Sequence, residues 1–339
     1  MSRTVAILGA SGLVGRTMLA VLEQRAFPCD RVRLLASPRQ GGRTLPFRGA
    51  EVPVEPVSAD AFTGVELALF AVKNPLAQQW APVARAAGAC VIDNSSAYRY
   101  DDAVPLVVPE VNGALLDARP TLVANPNCSA APLVLALQPL RALGELRKLV
   151  VATYQSVSGA GSGALDELES GLHAAAGGAA PPRLADGRPP FALNCIPHID
   201  VFLENGYTKE EMKVTWETRK ILGLPDLPVS TTAVRVPVRV GHSAAVHATF
   251  DRPVDPAAAR AAWAAFPGLE VVDDPGAKRY PMPLDAAGRD PVLVGRARTD
   301  LAEPHTLAFF YASDNLRKGA ALNAVQIAER WLGAPAGGR

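Results

Sequence analysis

The sequence lacks an excess of either charge: 34 Lys and Arg stand against 33 Asp and Glu, a formal net charge of +1. No dense basic stretch interrupts that balance, which argues against nucleic acid or an anionic membrane as the main partner. Cysteine is scarce and dispersed. Cys29, Cys90, Cys128 and Cys195 include no CxxC pair, so neither a disulfide framework nor a structural zinc site is expected. Such thiols suit the reducing cytoplasm, and no metal is expected. No apolar run approaches the roughly 20 residues that span a bilayer. Residues 1–5 run into strand-like sequence rather than a signal peptide.

What is present is the material of a large core: 49% hydrophobic against 20% charged residues over 339 positions. That composition excludes a disordered chain. At roughly 150 residues per domain the length predicts two domains. Glycine (28) and proline (30) together make 58 residues, about 17%, against an ordinary total of about 12%. They are expected to punctuate many short elements.

The spacing predicts strands at 4–8, 32–36, 67–72, 90–93 and 121–124, with helices at 12–24 and 75–87. Strands alternating with helices imply a parallel, Rossmann-like sheet covered on both faces. After residue 127 the pattern changes. Helices are expected at 129–143, 164–175 and 209–222, and strands at 149–154, 231–240, 244–250, 291–298 and 306–311. Neighbouring strands predict a mostly antiparallel sheet in an α+β second domain. The expected division is therefore 1–127 and 128–314, and the helix over 315–332 either completes the second domain or returns to the first. Loop 177–190 receives no role.

Gly9-Ala10-Ser11-Gly12-Leu13-Val14-Gly15 links the first strand to the first helix. Glycines at 9, 12 and 15 allow a tight turn, close approach of a pyrophosphate and helix–sheet packing, and the helix N-terminus attracts negative charge. Ser11 replaces the middle glycine of the usual fingerprint. The second strand ends in Ser37-Pro38-Arg39, where an acidic residue would select NAD; a hydroxyl and a cation suit NADP(H) instead.

Cys128 follows Asn125-Pro126-Asn127 and precedes a helix. The positive end of a helix dipole stabilises a thiolate, and nearby backbone N–H groups can support an oxyanion. Cys90, inside an apolar strand, reads as a core residue. A nucleophilic thiolate beside a nicotinamide site points to thioester chemistry: the thiol adds to an aldehyde, hydride leaves, and water or phosphate attacks the thioester.

These motifs resemble the aspartate-β-semialdehyde dehydrogenase family. The likeness continues through Asp93-Asn94-Ser95-Ser96-Ala97-Tyr98-Arg99, Val108-Pro109-Glu110-Val111-Asn112, Tyr154-Gln155-Ser156-Val157-Ser158-Gly159-Ala160-Gly161 and Trp216-Glu217-Thr218-Arg219-Lys220. It ends with Arg235 seven residues before His242, and Asn315-Leu316-Arg317-Lys318-Gly319. The resemblance implies NADPH-dependent reductive dephosphorylation of L-aspartyl 4-phosphate to the semialdehyde, in lysine, threonine and methionine biosynthesis, by a homodimer. It implies Cys128 as nucleophile, His242 as general acid/base and Gln155 orienting the thioester. Arg235 would grip the substrate carboxylate and Glu217 the amine, with Asn127 beside the nucleophile. Arg99 and Lys220 would bind inorganic phosphate, and Ser158, Gly159 and Asn315 the nicotinamide side.

A single histidine is more often structural than catalytic; His242 is expected in an exposed loop after strand 231–240. Glu217 and Lys220, at i and i+3, read equally as a helix-surface salt bridge. Lys73-Asn74-Pro75 departs from the small residues the family carries there. Rival readings are an N-acetyl-γ-glutamyl-phosphate reductase, whose nucleophile motif is Gly-Cys-Tyr, a cofactor-free Cys–His hydrolase, and a silent binding paralogue.

Overall fold

A computed structural model describes residues 3–183 and 187–333; part of loop 177–190 thus lies outside the described residues. The chain divides into two compact units, 1–127 with 320–339, and 128–319.

In the first unit the strands are β1 (Thr4–Leu8), β2 (Arg31–Ala36), β3 (Thr44–Phe47), β4 (Ala50–Pro56), β5 (Leu67–Phe70), β6 (Cys90–Asp93) and β7 (Leu122–Ala124). They form one sheet in the order β3-β4-β2-β1-β5-β6-β7. All pairs are parallel except the edge hairpin β3–β4. That hairpin is too short and too polar outward to announce itself in the apolar pattern. Helices α1 (Leu13–Gln24), α2 (Asn74–Ala86) and the short α3 (Pro109–Asn112) connect the strands. Val5, Ile7, Met18, Leu22, Leu34 and Leu69 build the core.

The second unit holds β8 (Leu146–Gln155), β9 (Val229–Arg235), β10 (His242–Phe250), β11 (Leu269–Val271), β12 (Val292–Thr299) and β13 (Thr306–Ser313). Their order is β11-β12-β13-β10-β8-β9. The middle pairs are antiparallel, and β8–β9 and β11–β12 are parallel. Helices α4 (Ala130–Leu137), α5 (Ser162–Ala176), α6 (Lys209–Leu222), α7 (Pro256–Ala264) and the short α8 (Pro283–Ala286) belong to it. Trp263 is buried beside Phe309 and donates Nε1–H to the Ala136 carbonyl at 2.8 Å.

Several boundaries differ from the periodicity. The helix expected over 129–143 becomes α4 followed by a 3₁₀ turn, Gln138–Ala142, because Pro139 has no N–H to continue the ladder. The strand expected to reach residue 240 ends at Arg235, ahead of Pro237. The expected helix over 315–332 begins as a π turn, Arg317–Ala321, and becomes α9 (Leu322–Leu332). Leu322, Val325 and Ala328 pack into the first unit's core, and a bidentate pair between Arg25 and Glu329, both bonds 2.8 Å, ties α9 to α1.

Candidate functional site

In the first unit the glycine loop is shaped by what it must leave out. Gly9 has φ +88°, and a Cβ there would stand 2.4 Å from the Ala71 carbonyl oxygen. A Cβ on Gly15 would stand 2.2 Å from the Gly9 oxygen. Gly12 is the N-cap of α1 and offers no side chain to the first turn. The amides of Leu13, Val14 and Gly15 therefore open a helix N-terminus without a side-chain cap, a natural seat for an anion. Ser11 is half-buried and its carbonyl accepts from Arg16 Nε at 3.0 Å. Ser37 and Arg39 are exposed on the turn that follows β2.

At the carboxyl ends of β6 and β7, Arg99 is buried. It donates Nε–H to the Asn125 carbonyl at 2.8 Å and Nη2–H to the Asn94 carbonyl at 2.6 Å. Asn127 is buried in the same segment. Asn74, in the stretch that departs from the family pattern, is clasped to Ser96 by a reciprocal pair of 3.0 Å bonds.

The second unit gathers the reactive groups. Cys128 is half-exposed, two residues ahead of the apolar helix α4. The buried Tyr311 hydroxyl donates to the Ser129 carbonyl at 3.1 Å and holds that turn; burial, then the Cys128 charge, pushes its pKa up. Behind the nucleophile stands Gly319 of the π turn, where a Cβ would lie 2.9 Å from Cys128 Cβ and 3.0 Å from its Cα. Only glycine leaves the cysteine backbone undisturbed there.

Arg235 closes β9 and is buried. Its Nη1 donates to the Ser156 carbonyl at 2.7 Å. Burial lowers its pKa, opposed by the nearby Cys128 and Glu210 charges. His242 is not on an exposed loop as its sequence context suggests: it is the first residue of β10 and 1% exposed. Pairing with β8 and β13 draws it inward. Its Nδ1 accepts the Ser156 backbone N–H at 3.0 Å, while Nε2 has no hydrogen-bond partner among the described residues. Burial, reinforced by Arg235, holds its pKa well below the usual imidazole range. Gly159 covers both groups, for a Cβ there would stand 3.1 Å from Arg235 Nη1 and 3.2 Å from His242 Nε2.

Gln155 accepts from Thr153 Oγ1 at 3.1 Å and donates Nε2–H to Glu210 Oε1, also at 3.1 Å. Glu210 in turn accepts from Lys213 at 3.1 Å, and Lys213 reaches Asp200 at 2.6 Å. Burial opposes the Lys213 charge, but Glu210 and Asp200 outweigh it and raise its pKa. Ser158 and Asn315 are buried together: Asn315 Nδ2 donates to Ser158 Oγ at 2.9 Å.

Gln155 thus meets the carboxylate of Glu210. Glu217 is fully buried and Lys220 half-buried on α6, seven residues or about 10 Å along the axis. The sequence has the same Glu-x-x-Lys spacing at 210/213 and 217/220, one heptad apart and therefore on one helix face. Periodicity cannot choose between them. The available signal is Thr208, whose capping box with Glu211 marks where α6 begins.

Comparison with known proteins covers both units. Residues 4–118 match the family model described as "Semialdehyde dehydrogenase, NAD binding domain", and residues 137–318 match "Semialdehyde dehydrogenase, dimerisation domain". The chain belongs to the semialdehyde dehydrogenase family. It is 45% identical to the aspartate-semialdehyde dehydrogenase of Aquifex aeolicus (strain VF5) over 332 residues, covering 97% of this chain and 98% of that one. Identity to the Bacillus subtilis (strain 168) aspartate-semialdehyde dehydrogenase is 45% over 334 residues, 96% of each chain. A crystal structure of aspartate semialdehyde dehydrogenase II from Vibrio cholerae complexed with ASA superposes with a TM-score of 0.94 at 42% identity, covering 98% and 99% of the two chains. As a semialdehyde dehydrogenase family member the chain is an oxidoreductase with a nicotinamide-dinucleotide domain and a dimerisation domain. The glycine loop, Arg235 and His242 fall inside the matched stretches; Cys128 lies between them. No helix among the described residues is long and apolar enough to cross a membrane.

Proposed function

We propose that the chain is a cytoplasmic, homodimeric aspartate-semialdehyde dehydrogenase. It reduces L-aspartyl 4-phosphate to L-aspartate 4-semialdehyde with NADPH, releasing phosphate, on the route to lysine, threonine and methionine. The observation that carries this reading is the cluster of Arg235 and His242 under Gly159, with the Cys128 charge acting on Arg235.

The residues fit a dinucleotide. The side-chain-free cradle at Gly9, Gly12 and Gly15, with Ser11, Leu13 and Val14, suits a pyrophosphate, and exposed Ser37 and Arg39 suit a 2′-phosphate. Ser158, Gly159 and Asn315 are assigned the nicotinamide side. When bound, the reduced dinucleotide supplies hydride to the acyl carbon.

This chain's own groups do the rest. The α4 N-terminus and Arg235 favour the Cys128 thiolate, which attacks the acyl phosphate to give a thioester and phosphate. Arg235 can hold the substrate carboxylate through paired N–H donors, and His242 is the acid–base partner. Gln155 orients the acyl group, with Asn127 beside the thiol. Glu217 is assigned the substrate amine, with Glu210 bonding Gln155, and Arg99 and Lys220 are assigned the phosphate.

Purified protein should reduce NADP when given aspartate semialdehyde and phosphate, and Cys128→Ala should abolish turnover while dinucleotide binding survives. Absence of phosphate-dependent turnover by folded, reduced protein refutes the reading. Preference for N-acetylglutamate semialdehyde, or hydrolysis without dinucleotide, would establish a rival.

A further inference from the structure

His242 is enclosed so that only one of its ring nitrogens faces chemistry. Its Nδ1 lies 3.0 Å from the Ser156 backbone nitrogen, an obligatory donor, and 3.0 Å from Ser156 Oγ. The Ser156 hydroxyl has its own acceptor in Asn315 Oδ1 at 3.0 Å. That oxygen also accepts the Gly241 N–H at 2.9 Å, so Asn315 fixes the residue before His242 and the hydroxyl beside it. A protonated Nδ1 would point N–H against N–H. The ring proton therefore belongs on Nε2, the atom with no hydrogen-bond partner among the described residues, next to Gly159 and Arg235 Nη1.

We propose that Ser156 and Asn315 are positioning residues that lock His242 as the neutral Nε2–H tautomer, so that it enters the acid–base role given above as a hydrogen-bond donor to the acyl oxygen. This rests on the reading of Cys128 and His242 given above and narrows it. The groups around the ring agree. Arg235 from β9 opposes a second proton. Ser313 on β13 and Ser156 after β8 are neutral, and the Asp314 carboxylate is engaged by the N–H groups of Gly288, Leu316 and Arg317.

The acylation step balances without the ring proton. The thiolate pair forms the S–C bond as the carbonyl π pair moves to oxygen. That oxyanion takes a hydrogen bond from Nε2–H. It then re-forms C=O as the C–O bond to phosphate breaks, and the pair leaves with phosphate.

Nitrogen-resolved NMR of the full-length resting protein tests the lock directly. Nε2 should be protonated and Nδ1 bare, unchanged across the interval around pH 6.5 where a free imidazole titrates. Protonated Nδ1, or a cationic ring appearing near that pH, would overturn the proposal. Asn315→Asp, which sets a carboxylate beside Ser156, should restore a near-neutral titration to the ring, read by the same NMR measurement. A wild-type kcat limb that follows a titration of His242 would also overturn it. The ring measurement needs no turnover, so failure of the functional reading is separately visible as absent semialdehyde oxidation.

Discussion

Burial separates residues that composition treats alike. Cys90 is buried in β6, and desolvation pushes its thiol up to about 12; Cys29 is buried and raised for the same reason. Because the thiolate is the nucleophile, iodoacetamide should label Cys128 and the exposed Cys195 in native protein and spare Cys29 and Cys90, as read by peptide mass spectrometry. His242 gives a pH prediction of definite sign. Its folded pKa lies below the unfolded value near 6.5, so below that pH the unfolded chain binds a proton the native ring refuses. Stability must then fall as pH drops through and below about 6.5, by at most about 1.4 kcal/mol per pH unit for one proton. Urea titrations of His242→Gln against wild type should show this slope reduced in the variant; identical slopes would mean that the native ring titrates normally.

Elements decide which of two like-spaced motifs meets Gln155. Helix α6 presents Glu-x-x-Lys twice on one face, and its N-terminal half carries the copy that meets Gln155 at the end of β8. Glu210→Gln should raise KM for the semialdehyde by about tenfold or more, the scale of a lost charge-assisted bond. Glu217→Gln, at a fully buried position, should raise KM likewise, through the substrate amine rather than through Gln155. Steady-state kinetics beside thermal melts check both, and a folded Glu217→Gln enzyme with wild-type KM would remove Glu217 from the amine site. The π turn at Arg317–Ala321 is a second such case: heptad spacing reads the segment as ordinary helix, whereas the wider turn sets Gly319 against Cys128.

At the scale of the molecule, the second unit leaves apolar surface on its sheet. Val150 and Tyr154 on β8 are 43% and 38% exposed, and a groove of about 420 Å³ is lined by Tyr280, Met282, Phe310 and Arg296. Such a patch on a dimerisation domain suits a two-fold contact. Wild-type protein should sediment as a dimer, and Tyr154→Asp with Val150→Asp should shift it to monomer; a dimer unmoved by both would put the interface elsewhere.

The two-domain plan and most elements were legible because they rest on local rules: period-2 and period-3.6 apolar patterns, glycines where a Cβ would strike backbone, and a cap before α6. β1, β6 and α6 have the bounds their patterns predict. The sequence by itself determined the chemistry on offer, a thiol before a helix, a glycine loop and an arginine seven residues before a histidine. Tertiary structure alone decided how that chemistry is held. Whether His242 lies on a loop or inside a sheet, which glutamate reaches Gln155 and which nitrogen of the imidazole is occupied all depend on contacts between residues 55 to 86 positions apart. Side chains that distant in the chain leave no mark on each other's local pattern, and only the packing of β8, β10 and α6 brings them within hydrogen-bonding reach.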